Sequence, residues 1–218
     1  FMYVLVSVWS GVVGFGLSMI IRMELGAGGQ WLGDEYLYML IVTSHGVMML
    51  FFLVMPMFMG GFGNWLIPVM LGLEDMLLPR LNNLSFLMVP LALFMFCVSM
   101  LVKGGAGGWT MYPPLILSDY STSFSVDLMI LSLHVAGLSS LLGSINIVVT
   151  SVVATKAMGS VERVPLLVWS LMITAVLVLL TIPVLAAALT MLLLDRNFST
   201  SFFDPVGGGS PLLYQHLF

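Results

Sequence analysis

Residues 42–72 read VTSHGVMMLFFLVMPMFMGGFGNWLIPVMLG, an apolar stretch with one histidine and one asparagine. His45 stands near its start, and Asn64 follows nineteen positions later. In an α-helix with a rise of ~1.5 Å per residue, the two positions lie ~28 Å apart, close to the hydrocarbon thickness of a bilayer. The spacing therefore predicts a transmembrane helix with His45 near one membrane face and Asn64 near the other.

The rest of the chain has the composition of a polytopic membrane protein. Of its 218 residues, 60% are hydrophobic and 7% are charged, whereas soluble domains are typically about 25% charged. Apolar runs long enough to cross a bilayer predict a single all-α transmembrane helix bundle with five complete spans and the start of a sixth. The predicted spans are about 1–22, 35–71, 84–102, 125–153 and 166–194, and another begins at 211.

Composition also excludes several classes of function. A net charge of −4 with six Lys and Arg residues argues against nucleic-acid binding. The single cysteine, Cys97, gives no disulfide framework and is interpreted as a packing residue. The sequence contains no phosphate loop, dinucleotide fingerprint or HExxH motif. Because apolar runs begin at Phe1 and continue at Phe218, we expect both ends to be cut.

The charged or titratable side chains in the spans leave two interpretations open. His45 is either a hydrogen-bonded packing residue or a functional group, because hydrocarbon does not solvate an ionisable side chain. A bis-histidine haem would suit it if the second ligand came from elsewhere. Arg22 either extends to the headgroups or has a partner on the packed face of its helix. His134 is interpreted as structural.

The fourth span has one small, polar face. Its members are Ser132, Ala136, Ser139, Gly143, Asn146 and Thr150. Such a face is either a packing seam with side-chain hydrogen bonds or a water-lined path for ions or protons. Asn146 favours the path, because a packing seam does not need an amide.

Collinear stretches along the chain carry a resemblance to a known family. They read IIRMELG at 20–26, VTSHG at 42–46, MGGFGNWLIP at 59–68, PRLNNLSF at 79–86, GGWTMYPPL at 107–115, SLHVAGLSSLLGSIN at 132–146, VLAAALTMLLLDRN at 184–197 and FFDPVGGGSPLLYQHLF at 202–218. With them, the chain resembles the cytochrome c oxidase subunit 1 family of the haem–copper terminal oxidase superfamily over essentially its whole length. The resemblance implies the first five helices, and the start of the sixth, of a twelve-helix subunit.

The resemblance implies cofactor and metal roles for five residues. His45 matches an axial ligand of the haem a iron, and Arg22 matches the arginine that hydrogen-bonds the formyl group of that haem. Tyr38 and Trp109 match residues near the haem propionates. Glu24 matches a ligand of a peripheral cation site.

The resemblance also implies a proton pathway that starts at the membrane face opposite His45. Asp75 matches the entrance of this pathway. The polar positions that match residues along it are Tyr3, Asn64, Asn82, Ser85, Ser139, Ser140 and Asn146.

The implied activity is electron transfer from cytochrome c through haem a to a haem–copper centre that reduces O2 to water and pumps protons. Partners would be other oxidase subunits, in the mitochondrial inner membrane or a bacterial plasma membrane. The chain lacks several groups that the family requires: the ligands of haem a3 and copper, the second haem a ligand and the glutamate that ends the pathway. We therefore expect the chain alone to be inactive and to hold no catalytic residue. Ser210 replaces an acidic residue common in the family. The alternatives are a quinol-oxidising relative and a haem-free transporter or channel.

Overall fold

The computed structural model describes residues 1–26, 28–29, 31–102, 107–118, 121–159 and 161–218. Within these residues the helices are α1 (Met2–Gly26), α2 (Glu35–Leu71), α3 (Pro79–Leu101), α4 (Phe124–Met158), α5 (Leu166–Asn197) and α6 (Pro211–Leu217), with a 3₁₀ turn at Val161–Arg163. The described residues contain no strand, and α1 to α5 are long and apolar enough to cross a membrane. The prediction of an all-α bundle with five spans is therefore confirmed.

Helix α2 changes its hydrogen-bonding pattern along its length. It is α-helical at both ends, but its middle follows the i→i+5 pattern of a π-helix over Met48–Val54 and Pro56–Gly63. A π-helix is wider than an α-helix and rises less per residue. The separation of ~28 Å predicted for His45 and Asn64 from an α-helical rise is therefore too long.

The structure shifts several predicted boundaries. Helix α3 begins at Pro79 instead of 84, because the fixed φ of proline and its missing N–H suit a first helical turn. Asn82 therefore lies in α3 and not in the preceding loop. Helix α4 continues past 153 to Met158 and is ended by Gly159, which has a left-handed φ of 71°. Helices α1 and α5 also extend beyond their predicted ends.

Helix α4 contacts α2, α3 and α5. Helix α1 lies along α2, and α4 packs between α3 and α5. Buried apolar side chains form one cluster toward the His45 end, which includes Met48, Phe52, Phe96, Ile130 and Leu189. A second cluster toward the Asn64 end includes Ile67, Leu71, Met76, Ile147 and Val168. These clusters leave a polar region between them.

Glycines allow α1 and α2 to approach closely. A Cβ at Gly60 would overlap the ring of Tyr3, and a Cβ at Gly14 would lie 2.7 Å from Met49 Sδ. Small residues have this role at helix contacts in membranes. The close approach of α1 and α2 brings Tyr3 into the bundle.

We expect Gly60→Ala to destabilise the protein by about 1–3 kcal/mol, because the new methyl group must displace the Tyr3 ring. The measurement is thermal unfolding of the complete gene product in detergent. Gly16→Ala is the control, since a Cβ there meets no atom within 4 Å. Equal unfolding temperatures for the two variants would contradict this packing.

Candidate functional site

His45 is half-buried in α2 and faces α1. Its Nδ1 lies 2.9 Å from the carbonyl oxygen of Gly14. Because a carbonyl can only accept, Nδ1 carries a proton and donates it, which leaves Nε2 with the lone pair of the neutral ring. In the described part of the chain, no hydrogen bond involves Nε2. A backbone carbonyl that holds a histidine in this tautomer prepares it to bind a metal ion through Nε2.

His134 has a different environment. Its Nδ1 lies 2.9 Å from the carbonyl oxygen of Ile130, and its Nε2 lies 3.0 Å from Thr190 Oγ1. Both ring nitrogens are therefore within hydrogen-bonding distance of protein atoms, and the contact with Thr190 links α4 to α5. This geometry agrees with the structural interpretation of His134.

Trp109 packs against the residue that follows His45. A Cβ at Gly46 would lie 3.1 Å from both Cβ and Cγ of Trp109. The preceding residue, Gly108, donates its backbone N–H to Thr43 Oγ1 at 3.1 Å. The loop after α3 is thus attached to α2 at the level of His45, and it carries the tryptophan there.

Arg22 and Tyr38 lie in the same end of the bundle as His45. Arg22 is exposed near the end of α1, and Tyr38 is half-buried in α2. Tyr38 precedes His45 by seven positions, which is two turns of an α-helix, so both occupy one face of α2.

Glu24 stabilises the loop between α1 and α2. Its Oε2 accepts the backbone N–H groups of Trp31 at 3.1 Å and Leu32 at 2.8 Å. Among the described residues, no group of three or more His, Cys, Asp or Glu side chains is placed to hold a metal ion. The peripheral cation site at Glu24 therefore stays a prediction.

A small cavity of about 30 Å³ lies between α1, α2, α3 and α4. Its polar lining consists of Tyr3, Asn64, Ser85, Ser139 and Ser140. A water molecule needs roughly 10–15 Å³ of such volume and two or more polar partners, so the cavity suits one or two waters.

Hydroxyl groups on three helices connect beside this cavity. Ser85 Oγ donates to the carbonyl oxygen of Ser139 at 2.8 Å, and Ser139 Oγ donates to the carbonyl oxygen of Ser85 at 2.7 Å. Tyr3 OH lies 2.6 Å from Ser85 Oγ. Because the Ser85 proton is already donated, Tyr3 is the donor in that contact. The three side chains form a continuous hydrogen-bonded chain from α1 through α3 to α4.

The amide pair of Asn64 and Asn82 lies between this cavity and the membrane face opposite His45. Asn64 Nδ2 donates to Asn82 Oδ1 at 2.7 Å. Asp75 is exposed in the loop between α2 and α3, where its Oδ1 accepts the backbone N–H of Met76 at 2.7 Å. Asp75 is thus exposed near the Asn64 end of the bundle, while Asn64 lines the cavity.

Asn146 and Thr150 hold the loop that carries Asp75. Asn146 Oδ1 accepts the backbone N–H of Leu78 at 3.1 Å, and Thr150 Oγ1 accepts that of Leu77 at 3.2 Å. Both side chains are fully buried. These two contacts attach the loop to α4, whereas Ser139 contributes to the cavity. The pathway role of Asn146 stays a prediction.

Two amide atoms are buried without a hydrogen-bond partner in the described residues: Asn64 Oδ1 and Asn146 Nδ2. Buried polar groups are almost always paired, and water supplies the partner where protein does not. Since Asn64 also lines the cavity, its free oxygen points to a hydrated connection between the amide pair and the cavity.

The family model described as "Cytochrome C and Quinol oxidase polypeptide I" matches residues 1–218. The chain belongs to this family. Members of the cytochrome c and quinol oxidase polypeptide I family use haem and copper and form a complex with other oxidase subunits. The sequence predicts the same cofactors and the same kind of complex.

Curated relatives support this membership. Proteins named cytochrome c oxidase subunit 1 from Pecten maximus, Eremothecium gossypii and Mytilus edulis are 51%, 50% and 48% identical to the chain over all of its length. The chain spans 46%, 41% and 40% of these relatives. The animal and yeast relatives, with the five apolar helices, support an integral protein of the mitochondrial inner membrane.

Sequence reasoning missed two contacts of this family member. Ser140 Oγ donates to Met55 Sδ at 3.3 Å, and no pattern distinguishes this methionine from its many neighbours. Arg196 Nε forms an ion pair of 2.7 Å with Asp127 Oδ1. A signal for the pair was present, because the predicted spans place both charges at the same membrane face.

Proposed function

We propose that the complete gene product is the catalytic subunit of a respiratory oxidase, which transfers electrons from cytochrome c through haem a to a haem–copper centre and reduces O2 to water. The names of the relatives support this activity. The observation that carries the proposal for this chain is His45, whose Nδ1 is committed to Gly14 so that Nε2 is available to iron. Haem a3 and copper would be held by the rest of the subunit.

In this proposal, His45 would hold the iron of haem a, which would supply a one-electron carrier. Arg22 would donate to the formyl group of this haem, and Tyr38 and Trp109 would lie near its propionates. Arg22 is exposed near the end of α1, so its guanidinium N–H groups would be available to an added acceptor. Trp109 is held against Gly46, so its indole stays beside the ligand.

The same proposal gives the opposite face a proton pathway. Asp75 takes protons from the aqueous phase, and the Asn64–Asn82 pair leads to the cavity. There the hydroxyls of Tyr3 and Ser85 can each donate and accept, as a relay through water requires. The polar side chains that line the cavity inside the apolar bundle support this function, because polar groups inside a membrane are expensive and usually functional.

We expect His45→Ala to abolish the low-spin haem spectrum of the complete gene product in its assembled oxidase, because the variant loses the imidazole ligand. The measurement is the reduced-minus-oxidised absorption spectrum. His134→Gln is the matched control, since both nitrogens of His134 already contact protein atoms. An unchanged spectrum in His45→Ala, or the absence of haem from the unmodified protein, would overturn the proposal.

We expect Asp75→Asn to slow proton uptake by about 10²-fold in oxidase reconstituted into vesicles, because an amide cannot bind and release a proton. Uptake is followed with a pH-sensitive dye. The control is Glu74→Gln, which removes the adjacent exposed carboxylate. If both variants slow uptake equally, surface charge and not a specific entrance controls the rate.

A further inference from the structure

A buried ion pair lies at the His45 end of the bundle, outside the residues assigned above. Arg196, at the end of α5, places Nε 2.7 Å from Oδ1 of Asp127 in the first turn of α4. The two residues are only 9% and 8% exposed. Burying both charges is costly, and a pair compensates for it only with good geometry and further hydrogen bonds.

The other guanidinium nitrogens of Arg196 all donate to the segment between α3 and α4. Nη1 donates to the carbonyl oxygens of Ile116 and Ser121, the second at 2.8 Å, and Nη2 donates to that of Ser123 at 2.9 Å. A guanidinium has several donors in a fixed plane, which a lysine ammonium cannot reproduce. Asp127 thus fixes the orientation of a group that holds three carbonyls of one segment.

Within this segment, Ile116 packs directly on the backbone two residues before Trp109. The Ile116 side chain covers Gly107, where a Cβ would overlap Ile116 Cδ1. The next two residues make the contacts with α2 described above: Gly108 donates to Thr43 Oγ1, and Trp109 packs on Gly46. A displacement of Ile116 would therefore move the backbone that carries Trp109.

We propose that the Asp127–Arg196 ion pair is a positioning element that holds Trp109 against α2 beside His45 and so tunes the haem bound there. This inference rests on the proposed role of His45 as a haem ligand. Arg196 and Asp127 act only through the segment they hold, and they donate nothing to the haem. Disturbing the pair should change the properties of the haem without removing its ligand.

The test is a redox titration of the low-spin haem in the assembled oxidase that contains the complete gene product. Arg196→Lys keeps the charge but loses the planar set of donors. We expect it to shift the one-electron reduction equilibrium by about threefold, which is ~28 mV at 59 mV per tenfold change. The control is Asp195→Glu, which alters an equally buried carboxylate that accepts from Phe202 N and Phe203 N and leaves the Arg196 contacts intact.

A second variant, Gly107→Ala, keeps the inference testable if Arg196→Lys does not assemble. Its methyl group would displace Ile116 without touching a buried charge, and we expect a shift of the same size. Unchanged titrations in both Arg196→Lys and Gly107→Ala, or an equal shift in Asp195→Glu, would overturn this inference alone. A protein without low-spin haem at His45 would instead overturn the proposed function.

Discussion

The hydrogen bond from His45 Nδ1 to the carbonyl oxygen of Gly14 determines how the His45 end of the bundle is built. A helical carbonyl has a second lone pair available, so Gly14 can accept this bond without losing its own helical one. The contact requires α1 and α2 to lie close together, and a Cβ at Gly14 would be only 2.7 Å from Met49 Sδ. The missing Cβ of Gly14 therefore allows the close helix spacing, and its carbonyl oxygen accepts from Nδ1.

Helix α2 contributes to both parts of the proposed function, the haem site and the proton pathway. Its first α-helical part presents His45. At the cavity, Met55 lies between the two π-helical segments and contacts Ser140, and Gly60 of the second segment contacts Tyr3. Short π-helical bulges inside α-helices are frequent at functional sites. Because one helix carries both features, a change in the packing of α1 on α2 would affect the ligand and the cavity together.

Much of this arrangement could be predicted from the sequence. Apolar length predicts the spans, and the positions of His45 and Asn64 predict opposite faces, because helical geometry is regular. The π-helical segments could not be predicted, since they depend on how α2 packs against its neighbours. The Asn64–Asn82 hydrogen bond and the Asp127 ion pair also arise between helices, and hydrophobic periodicity in a single sequence does not encode such contacts.

The central claim is that His45 is a tautomer-fixed haem ligand on a helix that also borders a proton pathway. An experimental structure of the complete gene product in its assembled oxidase tests it most directly. The account predicts iron bonded to His45 Nε2 while Nδ1 remains within hydrogen-bonding distance of the Gly14 carbonyl oxygen. A haem iron ligated by other residues, or a His45 ring turned so that Nδ1 leaves Gly14, would contradict it.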